Sequence, residues 1–258
     1  MKDVDGWNLE AYCYVDWHTP ANPVAAEGML TRNPIQRVHK PKLQSQAEQI
    51  ISECPPLERF DPEPRKTEPV DDDKIIEHLI SEGLGPGAAE ELVATFNRIR
   101  RLARYYHGRL WEDVREHEAR TFLVIPLLLA LGWAEQQIKI ELPAGGRERA
   151  DVACFSKPYG RKNSECVLII ETKAFSQGLH YARPQAEKYA KQFPNCKCIA
   201  VSNGYCFKTW ESKKDGQFGE EPSAYLNLPA PKDSYPLDPD NVLGCLEVLR
   251  MLLPATWM

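Results

Sequence analysis

The sequence predicts an α/β fold: a mixed central β-sheet flanked by helices, with a Pro-rich N-terminal arm and a helical lead-in. Three observations predict it. After Gly132 the hydrophobic period changes from about 3.6 residues to 2 or to short apolar runs, the change expected where helices give way to strands. A helical stretch, 184–192, separates the strand-like runs, and Asn203-Gly204 between the last two is a two-residue hairpin signal. Nine of the 21 prolines fall within residues 1–69, where they oppose long helices and central strands.

The arm, residues 1–69, also carries Trp7, Tyr12, Tyr14 and Trp17, too many aromatics for a solvated tail. It is either an extended segment packed on its own domain or a docking segment for a protein partner. The second region, residues 70–258, starts with Asp71-Asp72-Asp73, acids suited to a helix N-terminus, followed by Ile75, Ile76, Leu79 and Ile80 at helical spacing. Gly83 to Gly87 ends that helix. A longer one is predicted over 88–106, with Leu92, Val93, Phe96, Ile99, Leu102 and Ala103 on one side. Its other side carries Arg98, Arg100, Arg101 and Arg104, followed by His107 and Arg109. A third helix is predicted from near Trp111 through Glu118 to Leu131, with Glu118, Phe122, Ile125 and Leu129 on the face toward the sheet. Strands are predicted at 138–142, 149–155, 166–173, 198–202 and 205–210. Asp238-Pro239-Asp240 then caps a final amphipathic helix over 242–253.

Composition narrows the class. With 43% hydrophobic and 27% charged residues the chain has the balance of a soluble globular protein. The longest apolar run, Phe122 to Leu131, contains Pro126 and falls short of the roughly 18 residues that span a bilayer. The N-terminal residues lack the basic and apolar regions of a signal peptide, so a cytoplasmic location is expected. Cys154, Cys166 and Cys206 lie inside strand-like runs, and Cys196-Lys197-Cys198 has no second pair beside it, so the cysteines read as buried thiols rather than a zinc site. A net charge of −5 gives no global basic footprint.

The chemistry concentrates at two strands. Val167 to Ile170 are four large apolar residues in a row, which suits a strand covered on both faces. Glu171 and Lys173, two apart at its end, emerge on one face, and Thr172 on the other. Asp151 is the one acid within the preceding strand, and the short connection 156–165 suits an antiparallel pairing that brings Asp151 beside Glu171. Adjacent carboxylates repel unless a divalent cation joins them. Asp151, Glu171 and the main-chain carbonyl at Thr172 fit magnesium, which favours oxygen ligands and keeps several waters. Lys173 would hold or deprotonate an attacking water and offset charge in the transition state. On a later helix Gln185 and Tyr189 sit one turn apart, and Gln185 can face the strand ends.

Glu118-x-x-Thr121 with Pro126 and Leu131-Gly132-Trp133, then Arg149-x-Asp151, Glu171-Thr172-Lys173, Gln185-x-x-x-Tyr189 and Ser202-Asn203-Gly204 follow one another in order. Together they resemble the N-terminal nuclease domain of type I restriction enzyme motor subunits, a PD-(D/E)XK domain. The resemblance covers about residues 112–211. It implies a restriction-endonuclease-like core and Mg2+-dependent hydrolysis of DNA phosphodiesters, with Mn2+ able to substitute, in a restriction or anti-phage defence system. Asp151 and Glu171 would bind the metal, Lys173 would be catalytic, and Glu118 and Gln185 would assist. Arg98, Arg101 and Arg104 are the candidate contacts to DNA phosphates. Two departures stand out: Ala150 occupies the position before Asp151 where the superfamily is named for proline, and no G-x-x-x-x-G-K-[ST] motif supplies an ATP-driven motor. Two other readings stay open, a nuclease-fold subunit that acts only with a partner and an RNA nuclease with the same metal chemistry.

Overall fold

A computed structural model describes residues 41–55, 65–107, 114–146, 148–175, 178–179 and 182–258. The aromatics on which the arm's docking role rests, and Arg109 and Trp111, lie outside them. Helix α1 (Pro41–Glu53) falls in one compact unit, and everything described from Arg65 onward falls in another. The helix, 13 residues long, fits between the prolines expected to oppose long helices. Pro41 takes its first position, where no N–H is needed, and no proline follows until Pro55.

The larger unit is built on a six-stranded open sheet in sequential order. The strands are β1 (Ile138–Pro143), β2 (Arg149–Phe155), β3 (Cys166–Thr172), β4 (Cys198–Ser202), β5 (Cys206–Glu211) and β6 (Ala224–Asn227). Only β3 and β4 pair in parallel, which makes the sheet mixed. That parallel step needs a crossover. Helix α6 (Arg183–Ala190) supplies it and packs over β2, β3 and β4. Every residue of β3 and β4 is buried, the pattern of central strands. The four-residue β6, missing from the sequence reading, sits between Pro222 and Pro229 and is too short to show a period.

The lead-in helices are α2 (Asp72–Ser81), whose N-cap Asp71 accepts the Lys74 N–H at 2.8 Å, and α3 (Pro86–His107). Residues 65–69, counted above with the arm, and Val70 pair with the stretch 231–236 of the same unit, as in the Pro69–Lys232 bridge. The last helix, α7 (Cys245–Leu252), is shorter than expected and is not capped by Asp238-Pro239-Asp240. Leu243 instead hydrogen-bonds Ser223 and Tyr225 at β6, Val242 bonds the Tyr235 and Asp238 backbone, and Gly244, pressed against the Lys232–Asp233 backbone, is where the helix starts. The hairpin is shifted by one residue as well. Ser202 pairs with Phe207, so the two turn residues are Gly204 and Tyr205, while Asn203 closes the loop by accepting the Cys206 N–H. The amide of Asn203 also donates to the Phe175 carbonyl, tying the hairpin to the loop just past Lys173.

The third predicted helix is interrupted. It consists of α4 (Glu116–Ala119), a π-helical turn (Arg120–Val124) and α5 (Ile125–Ala130). Pro126 has no N–H to offer the preceding turn, and ahead of it the chain widens so that the Ile125 N–H reaches the Arg120 carbonyl. The buried stripe is therefore Ala119–Arg120, Leu123–Val124 and Leu127–Leu128. Phe122 is 49% exposed, so the stripe expected through Glu118 and Phe122 is not the one that faces the sheet.

Candidate metal centre

The strand registers assemble the site. Ile140 pairs with Val152, and Val152 with Ile170, so one step further along β1, β2 and β3 the residues in a row are Glu141, Asp151 and Glu171. Glu116, at the start of α4 and four residues before Arg120, shares the helix's buried face and joins this row. One carboxylate oxygen from each of Glu116, Asp151 and Glu171 lies within 4.8 Å of the other two. No His or Cys takes part among the described residues, so the donors are hard oxygens of the kind that suit magnesium, manganese or calcium.

Two basic groups face these acids. Lys173 Nζ donates to Glu171 Oε1 at 2.7 Å and to Gln185 Oε1 at 3.3 Å, and lies 3.9 Å from Glu116 Oε2. Gln185 in turn donates to the Tyr189 hydroxyl at 2.8 Å, which fixes the amide that faces Lys173. Arg120, only 7% exposed, donates to Asp151 Oδ1 at 2.9 Å and to Glu141 Oε1 at 2.8 Å. The other oxygen of Asp151 accepts both the N–H and the hydroxyl of Thr172, at 2.7 and 2.8 Å. The β2–β3 ladder has its last pair at Val152 and Ile170, and beyond it the Asp151 side chain takes the place of a ladder partner. This corrects the expectation that Thr172 points away from the acids.

The electrostatics show what the site lacks. Glu171 is 1% exposed, and burial, then the charge of Asp151, push its carboxyl up to about 7 against the pull of Lys173. Glu116 is raised for the same two reasons. Burial pulls Lys173 down, but its bond to Glu171 and the charges of Glu171, Glu116 and Asp151 outweigh that and leave its pKa above the usual lysine value. Glu171 Oε2 is buried with no hydrogen-bond partner among the described residues. An orphaned carboxylate oxygen in a cluster of acids is costly, and a cation is the partner that chemistry offers it. Glu116, Glu141, Asp151 and Glu171 stand against Arg120 and Lys173, an excess of acid that a divalent ion could balance.

Of the residues singled out by sequence, Asp151, Glu171, Thr172, Lys173 and Gln185 converge here. Glu118 does not. It is the third residue of α4, and its carboxylate turns back to the Arg115 N–H at 3.0 Å and to His117 at 2.9 Å. The sequence reading missed Glu116, Arg120 and Glu141. Extending the buried stripe back from Leu127 through Leu123 and Ala119 reaches Glu116. Glu141 carried no signal, because its φ of +51° is a local departure within β1.

On α3 the exposed residues include Arg98, Arg101 and Arg104, which make no ion pair among the described residues. Arg100 leaves the proposed basic face: it is bidentate to Asp72 at 2.7 Å and bonds the Leu228 carbonyl. The last turn of α3 meets the site's rear, where the Tyr106 ring is 5.6 Å from that of Phe175, two residues past Lys173. The cysteines of the strands are buried and unbridged, and burial raises the thiols of Cys154, Cys166, Cys196 and Cys198. No described helix is long and apolar enough to cross a membrane.

No protein-family model and no curated protein matches this chain. One solved structure is similar, a fragment assigned as an HsdR subunit of a type I restriction enzyme from Vibrio vulnificus. The two are 18% identical with a TM-score of 0.31, and the match covers 41% of this chain and 23% of that one. A likeness so loose carries no argument about activity, which rests on the site itself.

Proposed function

We propose that this chain is a divalent-metal-dependent nuclease of the PD-(D/E)XK kind that hydrolyses phosphodiester bonds in DNA, within a restriction or anti-phage system. The observation that carries the reading is the orphaned, buried Glu171 Oε2 inside the Glu116–Asp151–Glu171 cluster, with the Lys173 ammonium at the same strand end. Those three carboxylates, with the main-chain oxygen of Thr172, would hold Mg2+, and Mn2+ in its place. A cation bound there supplies Lewis-acid chemistry, activating water and stabilising charge on phosphoryl oxygens. Lys173, protonated at neutral pH, orients the attacking water by donating a hydrogen bond and offsets the charge that develops on the phosphorane-like transition state. Gln185 holds that ammonium in place. Arg98, Arg101 and Arg104 span about 9 Å along α3 and give the DNA backbone a track toward the site.

The test is cleavage of plasmid DNA, single-stranded DNA and RNA with Mg2+, Mn2+ or EDTA. We expect DNA cleavage that EDTA abolishes and that Asp151→Ala or Lys173→Ala lowers about a thousandfold, with circular dichroism unchanged. Cleavage that persists in EDTA or in either variant refutes the assignment, and cleavage of RNA alone replaces the substrate.

A further inference from the structure

Arg120 occupies an oxygen that a metal ligand would need free. Both oxygens of Asp151 are already engaged, Oδ2 by the N–H and hydroxyl of Thr172 and Oδ1 by Arg120 at 2.9 Å. The Thr172 bonds belong to the strand end and persist as long as the sheet does. The Arg120 bond does not have that backing: the guanidinium is shared, its other arm bonding Glu141 Oε1 at 2.8 Å. Glu141 is 56% exposed at the mouth of a cleft of about 470 Å³ lined by Glu116, His117, Arg120, Glu141, Arg149 and Asp151. Two backbone irregularities serve this one contact. Arg120 starts the π-helical turn, and Glu141 holds a left-handed φ of +51° in the middle of β1, a conformation a glutamate adopts at a cost.

Resting on the metal-centre reading above, we propose that Arg120 is a positioning residue that competes with the divalent cation for Asp151. In the metal-free site its guanidinium is the positive partner of the buried Asp151 carboxylate. When a cation takes Oδ1, Arg120 keeps its bond to Glu141 and swings into the cleft, where a guanidinium is placed to meet a phosphate. A planar fork is needed for this, because it must reach two carboxylates at once and release one while holding the other.

Calorimetric titration of the full chain with Mn2+, in the absence of DNA, tests this. Arg120→Gln removes the competitor and should tighten Mn2+ binding by about tenfold or more, as expected when a neighbouring unit charge is removed from a partly screened site. Arg120→Lys keeps the charge but cannot span both acids, and should tighten binding several-fold. Arg120→Lys is also the variant that keeps the buried charge paired, so it carries the test if Arg120→Gln melts too low to titrate. Equal affinity in wild type and Arg120→Lys means that Arg120 acts as a bare charge, and the competition is refuted. Weaker binding in both variants means that Arg120 is a strut holding Asp151 in place, which also refutes it. Failure of the wild type to bind Mn2+ at all overturns the metal-centre reading itself and is distinct from either result.

Discussion

Glu171 makes cation binding a proton-linked event, and the size of the linkage follows from its surroundings. In the metal-free protein, burial and the neighbouring Asp151 place its carboxyl at about 7. A cation ligand must be the carboxylate, so binding below that pH expels a proton. The sign is fixed: affinity rises with pH and levels off above about 7. The apparent dissociation constant scales inversely with the ionised fraction, which weakens binding about elevenfold at pH 6 and by only about a tenth at pH 8. Affinity for Mn2+ should therefore improve about tenfold from pH 6 to pH 8. Proton release should fall over the same range from about 0.9 to about 0.1 per ion bound. Glu116, raised in the same direction, can only add to the slope. Calorimetry in two buffers of different ionisation enthalpy reads both quantities, and Glu171→Gln should flatten the profile while weakening binding. Affinity that is level between pH 6 and 8, or proton uptake on binding, would refute the reasoning, since neither is compatible with a buried, raised carboxyl serving as a ligand.

Three further outcomes are expected. A carboxyl raised in the fold favours the protonated form, so Glu171 costs metal-free stability that sets in as pH climbs from about 4.5 toward 7; Glu171→Gln should raise stability by about 3 kcal/mol at pH 8 and leave it unchanged at pH 4, read by chemical denaturation. Reversing Arg98, Arg101 and Arg104 to Glu should weaken DNA binding and lower the slope of log affinity against log salt by about 3, with the helix intact because Leu92, Phe96, Ile99 and Ala103 form its buried side. Gly204→Ala should destabilise by about 2 kcal/mol, because the residue has φ +100° and an added Cβ would strike Leu123 of the π-helical turn; a melting temperature equal to wild type would show that the turn can relax.

Much of this fold could be read from the sequence because the sheet is simple. The long apolar run at Val167–Ile170 marks the buried centre, and the acid in β2 and the Glu-x-Lys at the end of β3 sit where strand period and a short connection put them. The failures share a cause, the places where local geometry departs from a repeat. A π-helical turn moved the buried face of the third helix by a residue, which exchanged Glu118 for Glu116. A left-handed glutamate in β1 and a hairpin shifted by one residue leave no periodic trace. Thr172 was assigned to the wrong side because the alternation of strand side chains says nothing about an aspartate that reaches across a ladder's end. Of the basic residues on α3, Arg100 is distinguished from its neighbours by Asp72 and the Leu228 carbonyl, partners 28 and 128 positions away.

The charge distribution connects the metal to the substrate. The chain carries a net charge of −5, and its densest group of buried acids lies where a phosphodiester would have to come. Lys173 and Arg120 are both committed to those acids, so neither is available to an incoming polyanion until a cation relieves them. A divalent ion bound among these acids would offset their charge, and so weaken the electrostatic hold on both basic side chains. The exposed arginines of α3 are outside this exchange, and under the proposed function they would attract phosphates with or without metal. DNA should therefore dock on α3 first and be drawn into the cleft only by the loaded site, which makes the cation a requirement for productive binding as well as for the hydrolytic step.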